Sequence, residues 1–166
     1  MDEIWKKIEG YDRYEISNFG SVRSKYGKNL IYLKKQEDSR GYIWVGLRTK
    51  GKTKYNSIHK LVALHFLGKI PENMQINHMD GDSKNNKVNN LEYVSMRENI
   101  NHRYALKGVS KLGTRMTKGG KFTSQIRIQG KMKHLGTFQT EQDARAAYVK
   151  AAMEQGDKKY LNGETK

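Results

Sequence analysis

The longest apolar run in this chain, Leu61-Val62-Ala63-Leu64, stops at His65. A chain punctuated so often has no stretch that could span a bilayer. Hydrophobic residues make up 36% of 166 positions, so one deep core is not expected, and one domain or two or three small modules is. Ten Tyr, four Phe and two Trp are nevertheless too many aromatics for a disordered basic tail. The absence of cysteine excludes a disulfide scaffold, a Cys-ligated zinc finger and a thiol nucleophile. Met1-Asp2-Glu3-Ile4-Trp5 lacks the basic and apolar regions of a secretory signal, so a cytoplasmic, non-secreted protein is expected.

Lys and Arg number 32 against 17 Asp and Glu, a formal net charge of +15. The charge is unevenly placed. Residues 1–75 carry net +7, residues 76–106 are neutral, and residues 107–152 carry net +8. Two basic flanks around a neutral middle suggest two nucleic-acid footprints and a central segment with another task. The alternative is a solvated Lys-rich surface. The basic residues lie in Gly-punctuated, strand-like stretches rather than along one helical face, which argues against a membrane-surface helix.

The residue pattern predicts an α+β chain. Tyr14–Ser17 and Ser21–Ser24 alternate around Asn18-Phe19-Gly20 as a hairpin would, and Leu30–Leu33 and Tyr42–Leu47 read as further strands, with a turn at Gly51. Ser57 opens a helix with Ile58, Leu61, Val62 and Phe66 at helical spacing, ending at Gly68 before Pro71. An Asn-, Asp- and Gly-rich loop runs from Asn77 to Asn90, and Leu91–Val94 is a short strand. Ser95-Met96-Arg97-Glu98 has capping-box spacing for a helix from Met96 to Leu106, which Gly108 would end. Lys121–Ile128 and Met132–Gly136 predict strands about a turn at Gln129-Gly130. Thr140 then caps a helix with Ala144, Ala147, Tyr148 and Ala151 on one face. A helix packed on a three-stranded basic sheet fits this segment, and the last residues read as a polar tail.

The chemistry is concentrated in the loop. Asn77-His78 is followed by Asn85-Asn86, Asn89-Asn90 and, at the start of the next helix, Asn99. Asn-dense turns are often purely structural. Here a strand-loop-strand-helix could bring an amide oxygen from each end to one imidazole, a hard, oxygen-rich half-site suited to Mg²⁺ with room for water and phosphate oxygens. Asp80-Gly81 breaks the spacing of an EF-hand, and the absence of Cys disfavours a structural zinc site.

Ile76-Asn77-His78-Met79-Asp80-Gly81, Asn86, Asn90-Leu91-Glu92-Tyr93-Val94-Ser95 and Glu98-Asn99 resemble the HNH homing endonucleases of phages and group I introns. Ile58-His59-Lys60-Leu61-Val62-Ala63 and Phe66 look like the segment that precedes the motif in that branch. Ile4–Tyr11, Tyr14–Gly20 and Val22-Arg23-Ser24 resemble the N-terminal nuclease-associated module of such proteins. Gly108-Val109-Ser110, Phe122–Ile126, His134–Phe138 and Ala144–Tyr148 resemble the APETALA-type DNA-binding domain. The resemblance implies a module at residues 1–55, a ββα-metal (His-Me finger) nuclease domain at 56–106, a DNA-binding domain at 107–154 and a tail at 155–166.

It also implies roles. His78 would be the general base, and an unperturbed imidazole pKa of about 6.5 suits that at neutral pH. Asn77 and Asn99 would hold one Mg²⁺ or Mn²⁺, and Asn90 would brace the loop that presents His78. Many relatives carry Asp or His at position 77 and His at position 99, so two neutral amides imply weak metal affinity without DNA. Arg103 stands where some relatives have another His, with His102 nearby as an unproven substitute; phosphate contact or a structural role is the expectation for His59. Arg115, Lys118, Lys121, Gln125, Arg127, Lys131 and Lys133 would bind DNA through the C-terminal sheet, Gln125 and Arg127 as base readers and the lysines on phosphates. Arg23, Lys25 and Lys28 would serve the N-terminal module.

The expected function is a monomeric, site-specific endonuclease of double-stranded DNA, with no small-molecule substrate and no membrane partner, in a bacterial or phage-infected cell. A non-cleaving DNA-binding regulator is the alternative. An RNA-binding structural protein fits the charge but leaves the Asn-His loop unexplained.

Overall fold

A computed structural model describes residues 2–26, 29–107 and 113–161. The chain divides between Tyr93 and Val94 into two compact units. Lys28, and Gly108-Val109-Ser110 with the helix stop expected there, lie outside the described residues.

The first unit opens with an antiparallel meander of β1 (Trp5–Ile8), β2 (Tyr11–Ser17), β3 (Val22–Tyr26) and β4 (Asn29–Tyr32), paired in chain order. Ile8, Ile16 and Val22 are buried. A second antiparallel sheet holds β5 (Gln36–Glu37), β6 (Ile43–Thr49) and β7 (Lys52–Ser57). Lys50 (φ 47°) and Gly51 (φ 78°) make the left-handed two-residue turn whose twist suits a hairpin. The sequence reading has no strand at β7, because Lys-Thr-Lys-Tyr-Asn lacks an apolar alternation. Pairing with β6, whose Val45 and Leu47 are fully buried, holds it in place.

The helix after Ser57 starts as expected, as α1 (Ile58–Val62), but Ala63–Leu67 continue as a wider π turn before Gly68. His65 Nδ1–H donates to the Leu61 carbonyl (2.8 Å), and His65 Nε2 accepts from the Glu9 amide (3.1 Å). The imidazole thus replaces a regular helical bond and ties the helix end to the β1–β2 turn. One core joins Ile8, Ile16, Val22, Val45, Leu47, Ile58, Leu61, Val62 and Leu91. Burying a side chain such as Ile58 contributes about 1.5–3 kcal/mol. A two-stranded sheet of β8 (Met74–His78) and β9 (Leu91–Ser95) completes the framework of the loop.

In the second unit, α2 (Met96–Leu106) carries the full Ser95/Glu98 capping box. β10 (Thr114–Met116), β11 (Phe122–Ile128) and β12 (Lys131–Phe138) form an antiparallel sheet, and α3 (Glu141–Glu154) starts at Thr140, whose Oγ1 accepts from the Asp143 amide. Ile126, Tyr148, Ala151, Ala152 and Leu161 share a core. Residues 157–161 are packed rather than part of a polar tail. Arg97 pairs with the buried Asp157 (2.6 Å), the Lys158 and Lys159 amides donate to Glu98 Oε1 (2.9 and 3.0 Å), and Tyr160 stacks on His102. The polar letters concealed this, because they satisfy α2 rather than solvent. Burial alone would raise the Glu98 carboxyl, but these amides and Ser95 hold it below its usual value. No helix among the described residues is long and apolar enough to cross a membrane.

Candidate functional site

Asn77 and His78 are the last two residues of β8, a step earlier than the loop drawn from sequence, so a strand fixes their directions. The loop that follows is closed by Asn90. The Asp80 amide donates to Asn90 Oδ1 (3.1 Å), Asn90 Nδ2 donates to Asp80 Oδ1 (2.8 Å) and to the Asn85 carbonyl (2.8 Å), and the Met79 amide donates to the Asn90 carbonyl (2.9 Å). Asn85 Nδ2 adds a bond to Asp80 Oδ2 (2.6 Å). Burial would raise the Asp80 carboxyl, but the bonds from Asn85, Asn90 and the Asp82 amide, with His78 nearby, lower it. Much of the asparagine density is therefore loop architecture.

Asn86 is the residue whose role sequence reasoning missed. Its Nδ2 donates to the Lys84 carbonyl (2.9 Å), which turns Oδ1 toward His78, 3.2 Å from Nε2. The His78 proton then belongs on Nε2, and Nδ1 is the basic nitrogen. Gly20 (φ 79°) makes room beneath: a β-carbon there would lie 3.0 Å from Ile58 and 3.1 Å from the Asn86 side chain. Asn86 stood in the quoted motif, but only the fold shows what it touches.

His59 projects from α1 against the same ring. The His59 and His78 centroids are 5.4 Å apart at 70°, and Tyr42 lies 5.1 Å from His59 and 6.2 Å from His78. Asp38 holds Tyr42 in place by accepting from its amide (3.0 Å), while also accepting from Trp44 Nε1 (3.1 Å). Burial, then His78 and Lys60, lower the His59 pKa from 6.5 to about 4, against a smaller raising effect of Asp38. The unfolded chain therefore takes up a proton near pH 6.5 and the folded one near pH 4. This contribution to stability is complete above pH 6.5 and is lost as pH falls to about 4. His59→Phe is expected to remove that part of the acid sensitivity, on the order of 3 kcal/mol, from urea-unfolding curves recorded across the interval. Parallel losses in variant and wild type would refute it.

Asn77 Nδ2 donates to Glu92 Oε1 (2.9 Å), both side chains being buried. A hydrogen bond of this kind contributes about 0.5–1.5 kcal/mol and fixes the amide's orientation. Among the described residues no cluster of three or more His, Cys, Asp or Glu side chains could hold a metal. Asn77 carries an amide oxygen, a hard donor that suits a divalent cation such as Mg²⁺. In the second unit, Asn99 is half-buried in the first turn of α2, Arg103 is exposed further along, and His102 is buried against Tyr160.

The basic candidates divide sharply. Arg23 donates from Nε to Glu15 (2.7 Å) and stacks on Trp5 (3.9 Å), whereas Lys25 is exposed on the same strand. On β11, Gln125 and Arg127 are exposed while Ser124 and Ile126 are buried. Register places His134 opposite Gln125, Met132 opposite Arg127 and Thr137 opposite Thr123, with Arg115 beside Thr123 on β10. These side chains share one sheet face. Lys133 faces Ile126 and Lys131 faces Ile128, so both lysines belong to the other side, at its exposed margin. Lys118 and Lys121 are exposed in and beside the β10–β11 turn. Gln129 (φ 47°) and Gly130 (φ 80°) set this register through a two-residue turn.

Residues 57–100 match the HNH endonuclease family model, and residues 3–48 match the NUMOD4 motif. The DNA endonuclease I-HmuI of Bacillus phage SP01 is 41% identical over 98 residues, 58% of this chain and 55% of that protein. The uncharacterized HNH endonuclease L247 of Acanthamoeba polyphaga mimivirus is 41% identical over 105 residues, 60% of this chain and 26% of that protein. The chain thus spans between a quarter and about half of these relatives. A solved structure described as DNA binding and cleavage by the HNH homing endonuclease I-HmuI aligns with a TM-score of 0.56 and 27% identity, over 92% of this chain and 82% of that one. A segment that matches the NUMOD4 motif is thus followed by one that matches the HNH endonuclease model, and His78 lies inside the second.

Proposed function

We propose that this protein is a site-specific, homing-type endonuclease of double-stranded DNA that acts as a monomer. The observation that carries this reading is His78, oriented by Asn86 in a loop that Asn90 braces, within the segment that matches HNH endonucleases. His78 Nδ1 takes a proton from the attacking water while Nε2–H stays on Asn86. The water oxygen bonds to phosphorus as the bond to the 3′ oxygen breaks. That oxygen takes a proton from solvent, leaving 5′-phosphate and 3′-hydroxyl ends. Asn77 and Asn99 are the proposed ligands of a divalent cation, Mg²⁺ or Mn²⁺, which when bound polarises the phosphate and stabilises the leaving oxygen.

The C-terminal sheet reads as an APETALA-type DNA-binding module, with Arg115, Gln125 and Arg127 toward bases and Lys118, Lys121, Lys131 and Lys133 toward phosphates. Lys25 and Arg103 would add backbone contacts.

Incubating the purified chain with a mixed DNA pool and Mg²⁺, with and without chelator, tests the proposal. Chelator-sensitive cleavage at recurrent sites is expected; retained binding without cleavage would favour the regulator instead. Glu92→Ala should release the Asn77 amide and raise the Mg²⁺ needed for half-maximal cleavage by about 10–100-fold, the usual cost of losing a ligand's supporting partner. Superimposable metal titrations would exclude Asn77 as a ligand held by Glu92.

A further inference from the structure

The sequence leaves His59 without a settled role, and the endonuclease mechanism does not use it. Its environment in the first unit is unusual in three respects. The residue is 9% exposed, which is uncommon for a histidine expected to meet phosphate. Its Nδ1 is buried with no hydrogen-bond partner among the described residues. Its ring stands edge-to-face with His78 and is backed by Tyr42.

We propose that His59 is a positioning residue for the reaction, a neutral aromatic wall that holds the His78 ring in the rotamer in which Asn86 meets Nε2. The inference rests on the assignment of His78 as the base. The bond that His78 Nε2–H donates to Asn86 Oδ1 fixes one end of the imidazole but leaves the plane of the ring free to swing about it. The edge-to-face contact at 70° removes that freedom, and Tyr42 keeps His59 from yielding. Asp38 anchors Tyr42 through its amide, and Ser83 Oγ–H donates to the Gly41 carbonyl (2.9 Å), joining this wall to the loop after His78. The wall has to be neutral, because a cation in contact with His78 would oppose the charge that the base acquires on accepting a proton. Burial keeps His59 uncharged at neutral pH. The buried Nδ1 has no path to a DNA phosphate, and an unchanged KM separates this role from a phosphate contact through Nε2.

The test compares the full-length wild type with His59→Ala, His59→Phe and His78→Ala on one plasmid substrate with Mg²⁺, after unfolding curves confirm that each variant is folded. A base held 1 Å out of place costs about 10²-fold. His59→Ala should therefore lower kcat by about that factor with KM unchanged, and His59→Phe, which refills the wall, should recover most of the loss. If His59→Phe is as impaired as His59→Ala, or KM rises in both, His59 contacts substrate and the proposal fails. Wild-type kcat in His59→Ala also overturns it.

An activity-independent readout is the imidazole NMR signal of His78 in the free protein, assigned by its absence in His78→Ala. It should broaden or move in His59→Ala and return toward the wild-type position in His59→Phe. An unmoved signal in His59→Ala overturns the wall even if the DNA is never cut, whereas undiminished cleavage by His78→Ala overturns the endonuclease assignment instead.

Discussion

His78→Ala is expected to lower the rate of DNA cleavage by about 10²–10⁴-fold at neutral pH, the range for losing a general base. Affinity for DNA should be nearly unchanged, because the ring is largely buried and bonds Asn86 rather than standing on the basic surface. The measurement pairs single-turnover cleavage with equilibrium binding on the same duplex. Retention of a tenth of the wild-type rate would remove His78 from the role. The structure adds a companion result. Asn86→Leu should reduce cleavage in the same direction but less, since it loosens the choice of tautomer and leaves the imidazole present. Equal rates for wild type and Asn86→Leu would mean that Asn86 serves the loop and not the base.

Arg127→Ala should cost about 1–3 kcal/mol on the preferred target and relax the preference at one or two base pairs. Its guanidinium lies on the exposed face with Gln125, Met132 and His134, away from the apolar side that packs with Tyr148 and Ala151. Lys133→Ala should weaken all sequences about equally and lower the slope of log K on log [salt] by about 0.9. Competition binding across single-base variants of the target, at two salt concentrations, separates the two outcomes. A uniform loss in Arg127→Ala would make that residue a phosphate contact. Point variants suit this better than removal of residues 107–166, because Asp157, Lys158, Lys159 and Tyr160 hold α2, which carries Asn99.

Local rules made a good part of this legible. The capping box at Ser95, the Gly20 turn, the alternation along β11 and the amphipathic face of α3 are each set by residues close in sequence, so reading the letters finds them. What stayed hidden depends on distant partners. β7 is a strand because β6 lies beside it. The His65 ring, bonded to a carbonyl four residues back and an amide far along the chain, widens a helix that periodicity alone draws as regular. In the site, Asn77 and His78 stand out by type, whereas Glu92, Asn86 and His59 acquire meaning only through the side chains they touch. The register of β11 and β12 lies between these cases. Gln129-Gly130 is legible as a turn, and counting back from a two-residue loop sets His134 opposite Gln125.

Under the proposed function, that hairpin makes target choice separable from catalysis as such proteins diverge. Lengthening the turn by one residue would invert the facing of β12 relative to β11, exchanging His134 and Met132 for Lys133 and Lys131 beside Gln125 and Arg127. The face proposed to read bases would then carry lysines that grip any phosphate backbone, with no side chain of the first unit altered. Under the proposed homing function, a gene carrying this protein could therefore acquire tolerance for new insertion sites through one indel, and later regain selectivity by substitution on the same strand. Sequence differences among relatives should then accumulate at Gln129-Gly130 and along β12 well before they reach Asn77, His78 or Asn86.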